Sequence, residues 1–284
     1  MRITTIIENN SEKDNLHCEL GLSILIEWED KKILLDTGQS DKLMDNADKL
    51  GVDFEDVDSI VISHGHFDHT GGLIPILKSI ENKPSIYLSN EYFNPKYKKV
   101  EGKEVLHIGS AFNEEDLISI NGRYIQIDKE VFPLYDGVYL FSGFEKYNDF
   151  EKSSDKYIVK KDEKFIIDDF SNEIALAIDS EDGLVVFVGC SHIGLANILE
   201  NIMKRTAKKI IGVIGGSHLS RSSILRINDT IDYLKSLDLR FIALSHCTGL
   251  KVMKIVEEEF GEKFIKNNAG TVFEILVPKG EKKL

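Results

Sequence analysis

The sequence feature that most constrains this chain is a group of histidines in one short loop. Residues 63–72 read Ser-His-Gly-His-Phe-Asp-His-Thr-Gly-Gly, which places three of the chain's eight histidines and a carboxylate within six consecutive positions. The apolar run 60–62 comes directly before the loop and predicts a buried strand. Because imidazoles and carboxylates are common metal ligands, the pattern predicts metal chemistry at the end of a strand.

The spacing within this loop predicts how its ligands are divided. His64 and His66 are two residues apart, so both side chains can point the same way from an extended segment. Asp68 and His69 follow beyond a turn and can face a second ion. Two glycines, 71 and 72, are expected to let the loop pack closely before the next helix. We expect one or two divalent ions here, with zinc as the first choice and manganese or iron as alternatives.

The loop resembles the H-x-H-x-D-H signature of the metallo-β-lactamase-fold hydrolases. This resemblance implies an α/β fold, a four-layer αβ/βα sandwich with one or two metal ions at one edge. We therefore expect residues 1–284 to form a single domain, with halves of about 1–136 and 137–284 as its two β/α layers. By the same resemblance, Asp36 at the end of the apolar run 33–35 is expected to support the metal-binding histidines. A turn-capping aspartate is the plainer alternative.

A second group of candidate ligands follows the predicted strand 184–188, where residues 189–192 read Gly-Cys-Ser-His. In most of the superfamily such a strand ends in Gly-Asp, and the aspartate bridges two metals. Cys190 stands in that place here. A thiolate can bind zinc but bridges two ions less readily than a carboxylate does, so both interpretations of Cys190 remain open. His192 is expected to supply a third imidazole to the site.

Two later strands also end in histidines. After strand 209–214, residues 215–221 read Gly-Gly-Ser-His-Leu-Ser-Arg, an expected anion cradle in which Ser217 and the planar fork of Arg221 bind substrate. His218 is expected to contact substrate or transfer a proton, with metal ligation as the alternative. His246 follows strand 241–245 and resembles the last metal histidine of the superfamily. Cys247 is expected to point away from it, by strand alternation.

The two remaining histidines are interpreted as ordinary loop or strand residues and not as metal ligands. His17, next to Cys18, lies in a polar loop, and neither has a second ligand at a fixed short spacing. His107 is expected in a half-exposed strand.

Composition narrows the classes of partner and compartment. The formal net charge of −13 disfavours a basic nucleic-acid groove and favours a small-molecule substrate. Three scattered cysteines do not form a disulfide framework and indicate a reducing compartment. The absence of a signal-like N-terminus, or of any apolar run near ~18 residues, leads us to expect a cytoplasmic protein with no membrane partner. A homo-oligomer is left open.

These observations together predict a metal-dependent hydrolase. Its metal-activated water would attack a small anionic substrate, such as a phosphoester, lactone or thioester. Asp68 would orient that water or take its proton, and His218 would protonate the leaving group. The ligands expected for one ion are His64, His66 and His192. Those expected for the other are Asp68, His69, His246 and, as one alternative, Cys190.

Two other functions stay open. The amino-acid sequences of the four ligand-bearing segments, and their order, resemble those of one subgroup of the superfamily. That subgroup is named after the archaeal enzyme 7,8-dihydropterin-6-methyl-4-(β-D-ribofuranosyl)aminobenzene-5′-phosphate synthase. That resemblance implies condensation of a pterin with an aminobenzene ribosyl phosphate. The other is a non-catalytic, metal-dependent ligand sensor that uses the unusual Cys190 position.

Overall fold

The computed structural model describes residues 1–102 and 105–278, so residues 103–104 and 279–284 of the predicted domain lie outside the described residues. In chain order its strands are β1 (Arg2–Ile7), β2 (Ser23–Trp28), β3 (Lys31–Leu35), β4 (Ser59–Val61), β5 (Ser85–Ser89), β6 (Lys96–Lys98), β7 (Leu106–His107), β8 (Arg123–Ile127), β9 (Val131–Tyr135), β10 (Val138–Phe141), β11 (Tyr157–Lys161), β12 (Lys164–Ile167), β13 (Ala175–Ser180), β14 (Gly183–Val188), β15 (Ile210–Gly216), β16 (Phe241–Ser245) and β17 (Val272–Glu274). The α-helices are α1 (Lys42–Leu50), α2 (Phe67–Thr70), α3 (Leu73–Ser79), α4 (Glu114–Ser119), α5 (Leu195–Thr206), α6 (Ile224–Ser236) and α7 (Leu250–Phe260).

The chain divides into two compact units whose segments alternate along the sequence. Unit 1 comprises Met1–Ile127, Ser154–Asp169 and Asn268–Glu274. Unit 2 comprises Asp128–Ser153, Phe170–Asn267 and the chain from Ile275 onward. Two segments of the predicted second half therefore belong to unit 1. The prediction of a single domain with two halves stays a prediction.

Unit 1 is built on a seven-stranded sheet with the order β17-β1-β2-β3-β4-β5-β8. The strands from β17 to β3 pair antiparallel, whereas β3, β4, β5 and β8 pair in parallel. Parallel neighbours end at the same edge of a sheet, so the residues that follow β3 and β4 come out side by side. This adjacency places Asp36 next to Ser63.

The core of unit 1 forms where helices α1 and α3 bury their apolar stripes against this sheet. Leu43 of α1 and Leu73 of α3 are fully buried in one cluster with Ile60 of β4. Each such side chain contributes about 1.5–3 kcal/mol through burial. Helix α1 ends at Gly51, whose φ of +68° is the left-handed cap that favours glycine. The core thus holds rigid the strand that leads into the histidine loop.

Unit 1 also contains a four-stranded sheet in the order β12-β11-β6-β7. All its pairings are antiparallel. It joins two stretches of sequence that lie about sixty residues apart, since Ile158 pairs with Tyr97. One of its two outer strands, β7, has only two residues, and the other is β12.

Unit 2 is built on a six-stranded sheet with the order β16-β15-β14-β13-β10-β9. Strands β13 and β14 pair antiparallel and form a hairpin. Strands β14, β15 and β16 are parallel, so the residues that follow all three emerge at the same edge. Those residues include Cys190, His218 and His246. Helix α5 follows the first of these ends, and the buried carboxylate of Glu151 accepts the Asn197 N–H at 2.8 Å in its first turn.

Among the described residues, no helix combines the length and the apolar character that a membrane span requires.

Candidate metal centre

The predicted histidine loop of unit 1 gathers its three imidazoles into one buried group. His64, His66 and His69 are 5% exposed or less. The ring of His64 lies 4.6 Å from that of His66 and 4.2 Å from that of His69, measured between centroids. The Nε2 atom of His64 is 3.0 Å from Nδ1 of His66. We call these three residues the histidine cluster.

One fully buried carboxylate holds both ends of the loop. Asp36 Oδ1 accepts the Ser63 backbone N–H at 2.7 Å, and Oδ2 accepts the Ser63 hydroxyl at 2.7 Å. The same Oδ2 lies 2.6 Å from Nδ1 of His69. A carboxylate only accepts hydrogen bonds, so Nδ1 of His69 carries a proton and its Nε2 keeps the lone pair that a metal requires.

The Ser63 hydroxyl extends this orientation to the next histidine. Because the hydroxyl donates to Asp36, it accepts from Nδ1 of His64, at 2.9 Å. The proton on Nδ1 leaves the lone pair of His64 on Nε2, the atom that faces His66. Asp36 therefore sets the tautomers of two histidines, one directly and one through Ser63.

Two glycines let the loop approach the segment after β3, as predicted. A Cβ atom on Gly71 would lie 1.9 Å from the carbonyl oxygen of Gln39, and one on Gly72 would lie 2.3 Å from that of Thr37. No larger residue fits at either position. The close approach lets Gly71 N–H donate to the Gly38 carbonyl at 2.8 Å.

The small sheet of unit 1 adds two residues to this site that the sequence did not reveal. The ring of Tyr157 stacks on His66 at 5.7 Å with an interplanar angle of 29°. The Lys98 ammonium lies 5.2 Å from the centre of the Tyr157 ring. Tyr157 and Lys98 come from β11 and β6, and no local pattern in the sequence marks that pairing.

A buried lysine lies directly beneath the loop. Lys96 Nζ donates to the carbonyl oxygens of Tyr92 and Asn94 at 3.0 and 3.2 Å. A Cβ on Gly65 would come within 3.0 Å of that nitrogen. Burial lowers the pKa of Lys96, while the negative charge of Asp168 opposes that shift.

In unit 2 the residues after β14 are held by a second buried carboxylate, which sequence reasoning missed. Glu173 Oε1 accepts the backbone N–H of His192 at 3.0 Å, and Oε2 accepts that of Ile193 at 3.1 Å. The ring of Phe170 stacks on His192 at 4.3 Å. His192 also lies 4.2 Å from His218, measured between ring centroids.

Two cysteines and a histidine form a separate group in unit 2. One ligand atom from each of Cys190, His218 and Cys247 lies within 4.8 Å of the other two. The backbone N–H of His218 donates to Cys247 Sγ at 3.2 Å. We call these three residues the cysteine cluster. Gly216 makes room for it, since a Cβ there would lie 2.5 Å from Cys247 Sγ.

The expectation that Cys247 points away by alternation is wrong. Strand β16 ends at Ser245, and the chain turns at once into the 3₁₀ segment His246–Thr248, with a φ of +54° at His246. Strand alternation does not continue through such a turn. Burial alone raises the pKa of the Cys247 thiol, but hydrogen bonds from Cys190 and His218 and the charge of His218 lower it to about 5.

The remaining predicted site residues differ in how far they are buried. Asp68 is half-buried in helix α2, and His246 is buried at the start of its 3₁₀ turn. Ser217 is fully buried, with its hydroxyl 3.0 Å from Thr248 Oγ1. Arg221 is exposed in the turn before α6.

The two histidines that were interpreted as surface residues are exposed or nearly so. The side chain of His17 is 42% exposed, and its Nε2 lies 3.0 Å from Asp45 Oδ2. His107 lies in the exposed strand β7, 5.2 Å from the ring of Tyr97.

The histidine cluster fits a divalent metal ion by the chemistry of its donors. In His64 and His69 the nitrogen remote from the metal side is bound to a hydroxyl or a carboxylate, an arrangement typical of metal-binding histidines. Two nitrogens bonded at ~2.0–2.1 Å to one tetrahedral ion would be about 3.3 Å apart. His64 Nε2 and His66 Nδ1 are 3.0 Å apart, close to that spacing.

The comparisons with known proteins agree with this chemistry. The sequence profile of the metallo-beta-lactamase superfamily matches residues 18–246, and the chain belongs to that superfamily. The α/β fold class predicted from the sequence is therefore confirmed as the metallo-β-lactamase type.

Individual relatives define the resemblance more closely. The chain is 33% identical over 264 residues to 7,8-dihydropterin-6-methyl-4-(beta-D-ribofuranosyl)-aminobenzene-5'-phosphate synthase of Methanocaldococcus jannaschii, covering 89% of this chain and 88% of that one. An uncharacterized protein of the same organism is 30% identical over 253 residues, covering 87% and 91%. The crystal structure of Tm1679, described as a metal-dependent hydrolase of the beta-lactamase superfamily, has a TM-score of 0.83 and 29% identity and covers 97% of this chain and 99% of its own. The predicted resemblance to the synthase subgroup is confirmed.

Proposed function

We propose that this protein is a metal-dependent hydrolase that acts on a small anionic substrate, such as a phosphoester, lactone or thioester. The observation that carries the proposal is the histidine cluster, in which Asp36 fixes the tautomers of His64 and His69. Membership of the metallo-β-lactamase superfamily supports it, as does the likeness to Tm1679. The net charge of −13 supports a small substrate over nucleic acid.

The proposed metal ligands are those predicted from the sequence, namely His64, His66, Asp68, His69, His192, His246 and, as one alternative, Cys190. Their division between two ions remains the prediction made from the sequence, and zinc remains the first choice because imidazole is the commonest donor. When bound, such ions lower the pKa of a water toward ~7 and polarise a phosphoryl or carbonyl oxygen.

The chain's own groups supply the rest of the proposed chemistry. Asp68 orients the attacking water or accepts its proton. His218 protonates the leaving group. Arg221 offers an exposed planar guanidinium to the anionic part of the substrate. Cys18, Cys190 and Cys247 form no disulfide, which supports a reducing compartment, the cytoplasm.

Replacement of one imidazole tests the proposal. His66→Ala is expected to weaken metal binding at least about tenfold and to abolish turnover, because it removes a direct ligand. His107→Ala is the matched control, since that histidine is exposed on β7 and lies outside the cluster. Metal content and hydrolysis of a phosphodiester, a lactone and a thioester are measured with zinc, manganese and iron. Unchanged metal content and turnover in His66→Ala would rule out the proposed site.

A second candidate function is the reaction that the M. jannaschii relative's name describes. The 33% identity over 89% of the chain favours it. Formation of 7,8-dihydropterin-6-methyl-4-(β-D-ribofuranosyl)-aminobenzene-5′-phosphate from a pterin and an aminobenzene ribosyl phosphate, with no hydrolysis of the panel above, would select this candidate. Tight retention of metal and ligand without any turnover would instead indicate a sensor.

A further inference from the structure

The two sulfur atoms of the cysteine cluster lie close enough to react with each other. Cys247 Sγ donates to the Cys190 backbone carbonyl at 3.4 Å, and the Cys190 thiol donates a hydrogen bond to Cys247 Sγ. The two sulfurs lie within 4.8 Å of each other, and no disulfide joins them. A disulfide has an S–S distance of about 2.05 Å, so rotation about the two Cα–Cβ bonds is the motion that brings the sulfurs together.

Gly216 of strand β15 leaves the space in which these sulfurs meet. Strand β15 lies between β14, which leads to Cys190, and β16, which leads to Cys247. A Cβ atom on Gly216 would lie 2.5 Å from Cys247 Sγ and 3.5 Å from Cys190 Cα. The absence of that side chain allows a contact across the intervening strand, and the 3₁₀ turn after β16 directs Cys247 into the gap.

The two cysteines differ in how easily a reagent reaches them. Cys247 is half-buried, whereas Cys190 is 3% exposed. The His218 backbone N–H donates to Cys247 Sγ at 3.2 Å and holds that sulfur in place. Redox-sensing cysteines are accessible to solvent and often lie next to a second, resolving cysteine. Cys247 matches the first role and Cys190 the second.

We propose that Cys190 and Cys247 form a redox-modification site, at which a hydroperoxide converts the two thiols into an intramolecular disulfide. In a reducing compartment such a bond is transient and acts as a response to oxidant. The modification is separate from the proposed hydrolysis and does not depend on it.

The reaction has two steps. The Cys247 sulfur attacks the terminal oxygen of the hydroperoxide, so an S–O bond forms as the O–O bond breaks, and the displaced alkoxide takes the thiol proton and leaves as an alcohol. The Cys190 sulfur then attacks Cys247 Sγ, so the S–S bond forms as the S–O bond breaks. The displaced hydroxide takes the Cys190 proton and leaves as water. The two thiols together lose two electrons, and the hydroperoxide gains them.

The disulfide joins two segments that carry predicted metal ligands. Cys190 lies two residues before His192, and Cys247 directly follows His246. The bond also consumes the thiol of Cys190, since the thiolate is the form of cysteine that binds metal. Oxidation therefore changes the set of donors that unit 2 offers.

Counting thiols is the first test, because it does not require turnover. The metal-loaded protein is treated with one equivalent of tert-butyl hydroperoxide, and two of its three thiols are expected to disappear. Peptide mapping without reductant is expected to show one linked pair of peptides, which carry Cys190 and Cys247. A dithiol is expected to restore both thiols.

The exposed thiol of Cys18 is the control. It tests whether exposure alone gives the reaction, and it is expected to be oxidised at least about tenfold more slowly than the pair. Cys18→Ser is expected to form the same linked pair at the wild-type rate.

Two single substitutions test the order of the steps. In Cys190→Ser the sulfenic acid on Cys247 has no resolving thiol, so dimedone is expected to trap it at that position. In Cys247→Ser the buried Cys190 is expected to stay reduced at the same dose of oxidant. Circular dichroism confirms that each variant is folded.

Three results would overturn the inference. One is oxidation of the pair no faster than that of Cys18. Another is a digest without a peptide pair that links Cys190 to Cys247. The third is a folded Cys190→Ser variant in which dimedone labels nothing at Cys247.

Discussion

The histidine loop of unit 1 and the segment that carries His192 in unit 2 are held in place in different ways. In unit 1 the carboxylate of Asp36 binds ligand side chains, directly at His69 and through Ser63 at His64. In unit 2 the carboxylate of Glu173 binds backbone N–H groups, those of His192 and Ile193. A side-chain hydrogen bond fixes a tautomer, whereas a backbone hydrogen bond fixes only the path of the chain.

This difference implies that the two regions tolerate change unequally. The donors of unit 1 lie within six residues of one loop and depend on one carboxylate. Those of the cysteine cluster come from three strand ends, and neighbouring hydrogen-bond donors set the pKa of the Cys247 thiol. Loss of a single group should therefore disable the first region and only weaken the second.

The largest expected effect is that of Asp36→Ala. The substitution leaves the buried N–H groups of His69 and Ser63 without their acceptor, and two buried donors left unsatisfied at about 1–3 kcal/mol each cost roughly 2–6 kcal/mol together. We expect a loss of that size in the free energy of unfolding, together with loss of metal from unit 1. Urea unfolding and metal analysis measure the two effects.

Asp41→Ala is the control for that prediction. Asp41 is exposed and its side chain makes no capping hydrogen bond, so its loss should change stability by less than about 0.5 kcal/mol. A stability loss in Asp36→Ala no larger than this one would show that the loop does not depend on its carboxylate.

A smaller effect is expected from Glu173→Gln. The amide keeps one acceptor oxygen but turns an N–H₂ group toward a backbone N–H, at a cost of about 1–2 kcal/mol. Metal affinity should fall about tenfold, because the backbone that carries His192 loosens. Calorimetric titration with zinc measures this, with exposed Glu181→Gln as the control. A loss as severe as that of Asp36→Ala would erase the contrast between the two regions.

The smallest effect is expected from Cys247→Ser and depends on pH. The folded pKa of Cys247 is lowered to about 5, below its ordinary value, so the stabilisation it contributes is complete above the ordinary thiol pKa of about 8.5. That contribution is lost as the pH falls through about 5. In metal-free protein, wild type should therefore exceed the variant in stability at neutral pH and match it below pH 5.

Thiolate absorbance provides the direct measurement for Cys247. The wild-type protein should show a thiolate that titrates near pH 5, and Cys247→Ser should lack it. A difference in stability between the two proteins that is the same at every pH would contradict the assigned charge.

The contrast also explains how much of the site could be predicted from the sequence. The histidine loop is contiguous, and the proximity of its three imidazoles could be predicted from their spacing alone. Asp36 was found only by resemblance to a family. Glu173 and Tyr157 could not be found, because they reach their partners through pairings between distant strands.

The same limit applies to the fold, because elements formed by neighbouring residues could be predicted and pairings between distant segments could not. Local apolar runs predicted the strands β14, β15 and β16, each of which is a continuous stretch of sequence. They did not predict the pairing of β6 with β11, which joins residues about sixty positions apart. The predicted orientation of the Cys247 side chain was wrong because the alternation of side chains along β16 was extended past the end of the strand into a 3₁₀ turn.

The hydrogen bonds that Asp36 makes to both Ser63 and His69 have a consequence for the kinetics of metal binding. Because Ser63 and His69 are both fastened to one buried carboxylate, the imidazoles are preorganised before any ion is captured. Little conformational entropy remains to be lost on capture, so the intrinsic affinity of the donors is expressed almost in full. Such a loop should take up metal in one fast kinetic phase after the chain has folded, without a slow rearrangement.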